Sequence, residues 1–102
     1  MVIISKTIIQ AFVKKHPDVE SALEKWYSDT KAATWKNFSE VKKTFNTADG
    51  VGNDRYVFDI KGNQYRLVAL IIFKVRTVFI LFIGTHKEYN KIKADKITFK
   101  KY

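Results

Sequence analysis

The sequence predicts an α+β domain: a small, largely antiparallel sheet, two N-terminal helices packed on one of its faces, and a short C-terminal helix. Three observations predict it. Up to residue 45 the apolar positions recur at helical spacing, as in Ile8, Ile9, Phe12 and Val13. From Tyr56 the period changes to two and then to unbroken apolar runs, which is the pattern of strands. Between these regions lies NTADGVGND, residues 46–54, whose Gly, Asn and Asp read as a loop.

The elements follow in order. Val2-Ile3-Ile4 is a short strand, and Ser5 is placed to cap the helix after it. That helix should stop near His16, because Pro17 disfavours helical geometry in the residue before it. Pro17 suits the first turn of a second helix, where Asp18 and Glu20 favour the dipole. Val19, Ala22, Leu23, Trp26 and Tyr27 form its apolar stripe. Phe38, Val41 and Phe45 fit a short third helix. Tyr56–Ile60 is a strand, Lys61 to Gln64 a tight turn with Gly62-Asn63 at its centre, and Tyr65–Phe73 a second strand. Lys74 to Thr77 leads into a third strand ending at Ile83. These last two strands are apolar on both faces and should be central and covered. Thr85 and Glu88 have capping-box spacing over a short helix, His86–Ile92. The tail, Lys96–Tyr102, is either an extra strand or a basic extension. Without repeats or a long linker, residues 1–102 read as a single domain.

Composition narrows the function. The chain is 46% apolar and 15% aromatic, enough for one packed core. It has no cysteine and two histidines, so neither a disulfide framework nor a structural metal is expected. The longest apolar run, Leu67–Phe73, is far below the ~20 residues a membrane helix needs. MVIISKTIIQ lacks the regions of a signal peptide, so a cytoplasmic protein is the expectation. The net charge is +9, and residues 52–102 carry eleven basic and four acidic side chains. That asymmetry suits a polyanionic partner such as nucleic acid, a ribosome or an acidic protein; its plainer reading is solubility.

Turn arithmetic brings distant residues together. A turn centred on Gly62-Asn63 sets Asp59 opposite Arg66. A turn at Val75-Arg76 sets Arg66 opposite Thr85 and Tyr65 opposite His86, to within about one residue. On the last helix His86, Tyr89 and Asn90 share a face. Arginine grips two phosphate oxygens, histidine moves protons near neutrality, and tyrosine stacks on unpaired bases. The set suits a phosphodiester, and needs no metal if the 2′-hydroxyl of RNA is the nucleophile. Each member also has a structural reading. Arg66 can pair with Asp59, His86 can be a helix-terminus histidine, and Tyr89 can be a core aromatic. Lys87 and Lys91 are ordinary surface residues taken alone.

WKNF at Trp35–Phe38, YVFDIKGNQYRLV at Tyr56–Val68 and GTHKEYNKI at Gly84–Ile92 resemble the HigB family of toxins, in the RelE-like superfamily. The similarity runs from the first strand to about residue 97. It implies a RelE/ParE-like fold and a ribosome-dependent, metal-independent mRNA interferase of a type II toxin–antitoxin system. The implied partners are a HigA-like helix-turn-helix antitoxin, the ribosome and mRNA, with no membrane and no small-molecule cofactor. Carried onto this chain, Asn63 and Arg66 match GN-x-x-R, and His86 and Tyr89 match TH-x-x-Y. Arg66, His86 and Tyr89 are then the catalytic candidates; Asn63, Lys87, Asn90 and Lys91 are the substrate-binding ones. Asp59 and Asn90 depart from the family pattern, where Asn and Asp are frequent. A carboxylate at Asp59 is expected to lower RNA affinity, and an amide at Asn90 to alter how His86 is oriented. Lys74 and Arg76, at the far turn, are assigned to rRNA or antitoxin contact. Two other classes remain open: a non-catalytic RNA- or ribosome-binding module, and a gyrase-directed toxin of the ParE type.

Overall fold

The computed structural model describes residues 1–98. Five strands form one sheet in the order β1-β5-β4-β3-β2: β1 Val2–Ile4, β2 Asp49–Gly52, β3 Arg55–Ile60, β4 Tyr65–Ile72 and β5 Thr77–Thr85. β1 runs parallel to β5, and every other pair is antiparallel. The helices are α1 Lys6–Lys15, α2 Glu20–Ala32, α3 Phe38–Thr44 and α4 His86–Tyr89, with a 3-10 turn at Pro17–Val19. The predicted α+β class holds, and the predicted elements occur in the expected order with one strand, β2, added. No described helix is long and apolar enough to cross a membrane.

One face of the sheet carries the main core. Leu67, Ala69 and Ile71 of β4 meet Leu23 and Trp26 of α2, together with Phe58, Val78 and Ile80. Helical spacing in the first half and alternation in the second meet here, because each helix buries one stripe and β4 sends every second side chain to this face. Trp35 is buried, and its indole N–H donates to Thr44 Oγ1 at 3.0 Å, which fixes the entry to α3. The terminal ammonium of Met1 donates to the carbonyls of Lys31 and Ala33, a cation at the negative end of α2.

Several local expectations are corrected. Ser5 makes no side-chain cap; it is left-handed at φ 79° and turns the chain from β1 straight into α1. The segment read as a loop contains β2, an edge strand with a bulge between Gly50 and Gly52. Its hairpin loop is Asn53-Asp54, both at positive φ, as a type I′ turn requires. In the 61–64 turn the left-handed residues are Lys61 and Gly62, not Asn63. Between β4 and β5 the connection spans residues 73–76, because Ile72 pairs with Thr77. That wider connection moves the register by two residues, and a bulge at Leu81 returns one. Arg66 therefore pairs with Gly84, and Tyr65 with Thr85.

The second face of the sheet is covered by residues after β5. Val57 and Val68 pack against Ala94, with Phe82, Tyr89, Ile92 and Ile97 around them. Two side chains from the β2–β3 hairpin hold this segment. Asn53 Nδ2 donates to the Asp95 carbonyl at 2.9 Å, and Arg55 Nε and Nη2 donate to that of Ile97 at 3.1 and 2.8 Å. Ile97 thus belongs to a strap across the sheet; the tail reading beyond residue 98 lies outside the described residues.

Candidate active site

Alternation along β4 sends Tyr65 and Leu67 into the helix-covered core and Arg66 to the opposite face. Asp59 of β3 lies directly across from Arg66, as the turn arithmetic expects. Arg66 Nε is 2.9 Å from Asp59 Oδ1, and both side chains are mostly buried, at 22% and 24% exposed. The oxygen sits off the N–H axis, so the contact is an ion pair and not a directed hydrogen bond. The guanidinium carbon lies 5.2 Å from the centroid of the Tyr89 ring, a cation–π contact. Among the described residues, no group accepts a hydrogen bond from the Arg66 terminal nitrogens.

Tyr89 reaches Arg66 because α4 begins directly after β5. Thr85 Oγ1 accepts the Glu88 N–H at 3.1 Å and Glu88 Oε1 accepts the Thr85 N–H at 2.9 Å, the capping box that the spacing predicts. The Thr85 N–H, above all, holds the Glu88 carboxyl below its ordinary value, helped by the Thr85 hydroxyl and by the charges of His16 and Lys15, against a desolvation that raises it. Gly84 makes the crossover possible. A Cβ there would collide with the Phe82 ring and lie 3.2 Å from Glu88 Cβ.

His86 opens α4, one turn before Tyr89 on the same face. Its backbone N–H donates to the Gln64 carbonyl at 3.2 Å, which ties α4 to the 61–64 turn. Asn63 is therefore beside the start of α4, exposed in that turn. Lys87, Asn90 and Lys91 are exposed around it. The structure thus brings Arg66, Tyr89 and Asp59 into contact and sets His86 and Asn63 at the same end of the sheet. Lys87, Asn90 and Lys91 make no described contact with Arg66. No three described His, Cys, Asp or Glu side chains gather as metal ligands.

Sequence reasoning missed the supports behind this group. Asp18 Oδ2 accepts from Lys61 Nζ and from the Tyr65 hydroxyl, both at 2.9 Å. It ties the α1–α2 joint to the strand position next to Arg66. Phe12 stacks on His16 at 4.5 Å, and Tyr65 meets both rings edge-on. Arg55, with Val57 and Asp59, alternates onto the site's face of β3; that period was the available signal for its role.

Residues 19–92 match the model of a family described as HigB_toxin, the RelE-like toxic component of a toxin–antitoxin system. The chain belongs to the HigB toxin family. Among HigB proteins it is 32% identical over 94 residues to an mRNA interferase HigB of Escherichia coli O6:H1, covering 90% of this chain and 91% of that one. It is 26% identical to the mRNA interferase toxin HigB of Escherichia coli K12 and to the mRNA interferase HigB of Shigella flexneri, covering 92% of each chain. The sheet and helices are those of a RelE-like toxin, as the resemblance implied. Membership also implies an antitoxin partner.

Proposed function

We propose that this HigB-family chain, a single domain over residues 1–102, is a cytoplasmic mRNA interferase that cuts translated mRNA on the ribosome without a metal. The observation that carries the reading is an arginine paired at Nε with Asp59 and lying over the Tyr89 ring, whose terminal nitrogens donate to no described residue, with an exposed histidine at the same end of the sheet. The names of the HigB relatives support RNA as the substrate.

In this reading the 2′-oxygen attacks the adjacent phosphorus, the bond to the 5′-oxygen breaks, and a 2′,3′-cyclic phosphate and a 5′-hydroxyl result. Arg66 holds two phosphate oxygens and stabilises the charge that builds on them. His86 moves the proton at the 2′-hydroxyl or the leaving oxygen. Tyr89 packs into the Val57–Val68–Ala94 cluster, so its part is to brace Arg66 and offer its hydroxyl. Asn63, Lys87, Asn90 and Lys91 contact the RNA backbone from the rim. No described residue anchors the His86 imidazole, which favours a ribosome that supplies the final alignment. A HigA-like antitoxin is the proposed inhibitor.

The test is cleavage of a defined mRNA with and without programmed ribosomes, and in EDTA for free RNA. Arg66→Ala and His86→Ala are run alongside. Arg66→Ala is expected to lose cleavage on the order of 100–1,000-fold with unchanged circular dichroism. Fragments ending in a free 3′-hydroxyl would exclude the 2′-hydroxyl route. Absence of cleavage under every condition would leave a ribosome-binding module.

A further inference from the structure

We infer that Asp59 is a positioning residue of the active site: its carboxylate fixes the Arg66 guanidinium so that the terminal nitrogens face the substrate phosphate. The inference rests on the cleavage reading above. A carboxylate opposite an arginine is a competitor when it occupies the two terminal nitrogens, because those donors match a pair of phosphate oxygens. Asp59 pairs instead at Nε, with Oδ1 2.9 Å away.

Arg66 Nε is fully buried, and no described group accepts a directed hydrogen bond from it. Asp59 is therefore the group that compensates this buried part of the cation; without it a charged donor would be left unpaired. The guanidinium carbon also lies over the Tyr89 ring, 5.2 Å from its centroid. An ion pair at Nε and an aromatic ring beneath the guanidinium carbon together restrict the side chain. Asp59 is itself fixed by the β3–β4 ladder, where it pairs with Arg66, flanked by the Ile60–Tyr65 and Phe58–Leu67 pairs. The negative charge near the phosphate weakens RNA binding, and the orientation it imposes favours the chemical step. The two effects therefore act on different kinetic constants.

The test uses the full chain with Asp59→Ala and Asp59→Asn in single-turnover cleavage on programmed ribosomes. The arginine Nε–H signal of Arg66 is followed by nitrogen–proton correlation spectra. Asp59→Ala is expected to lower kcat on the order of 10–100-fold while KM stays level or falls, since a negative charge is removed. Asp59→Asn removes the charge that the ion pair needs and is expected to share the loss. The Arg66 signal stays distinct in the wild type and moves to the position of free arginine in Asp59→Ala and Asp59→Asn. Should Asp59→Ala not fold, Asp59→Thr, strand-favouring and too short to hold the guanidinium, carries the same expectation. Cleavage by Asp59→Ala at or above the wild-type rate would make Asp59 a competitor and overturn the inference, as would an unmoved Arg66 signal. A wild-type protein that does not cleave overturns the function proposed above, while the spectra still decide whether Asp59 holds Arg66.

Discussion

Asp18 shows how one side chain can change meaning between sequence and structure. Its position in the first turn after Pro17 suits the helix dipole, and its carboxylate also accepts from Lys61 and Tyr65. The Lys61 ammonium, and then the Tyr65 hydroxyl, hold the Asp18 carboxyl below its ordinary value of 3.8. Seen from the other partner, Asp18 raises the Tyr65 phenol above 10.0. The signs give a window. The Asp18 contribution is fully present above its unfolded value and is lost as pH falls through the lower folded one. The Tyr65 contribution is present below pH 10.0 and is lost as pH rises through the higher folded value. Denaturant melts of Asp18→Asn across acid and alkaline pH should therefore show both limbs flattened relative to wild type. An unchanged acid limb would mean that Asp18 does not tie the α1–α2 joint to β4.

At the scale of elements, α4 is the weak part of the site. Four residues cannot hold a helix by propensity. The capping box and the Gly84 crossover hold this one. Thr85→Ala removes one bond of the box and is expected to cost about 1 kcal/mol. It should lower cleavage more than it lowers the melting temperature, because α4 carries His86 and Tyr89 while the main core lies on the other face. Gly84→Ala forces the Phe82 ring aside next to Arg66, at about 1–3 kcal/mol. Thermal melts beside cleavage rates check both. The bulge at Leu81 belongs to the same account, since it resets the pairing that sets Gly84, and not Thr85, across from Arg66.

For the whole molecule, the proposed function puts RNA on the second sheet face. The segment through Ile97 covers part of that face, and Arg55 clamps it. Arg55→Ala removes both bonds to the Ile97 carbonyl, at about 1–3 kcal/mol. Amide exchange in Ile92–Ile97 should rise, and cleavage should fall through the loosened Tyr89. Faster exchange with undiminished cleavage would separate the strap from the site. The net charge of +9 acts at this scale too. Ribosome association of wild type and Arg66→Ala alike should weaken steeply between about 50 and about 200 mM salt, because it is driven by counterion release. A salt-insensitive association, measured by sedimentation, would assign the charge to solubility.

What the sequence determined by itself was whatever depends on neighbours along the chain. The helices of the first half, the three apolar strands, the α4 capping box and the Asp59–Arg66 pairing each follow from local spacing or from one tight turn. β2 was hidden because an edge strand needs little apolar content, and Asp49-Gly50-Val51-Gly52 has the composition of a loop. Only the tertiary structure decided the rest. It set which nitrogen of Arg66 the Asp59 carboxylate approaches, it brought the Tyr89 ring under the guanidinium carbon, and it placed the C-terminal strap over Val57 and Val68. These outcomes depend on strand twist, a one-residue bulge and the packing of segments far apart in sequence, and none of those leaves a local period to read.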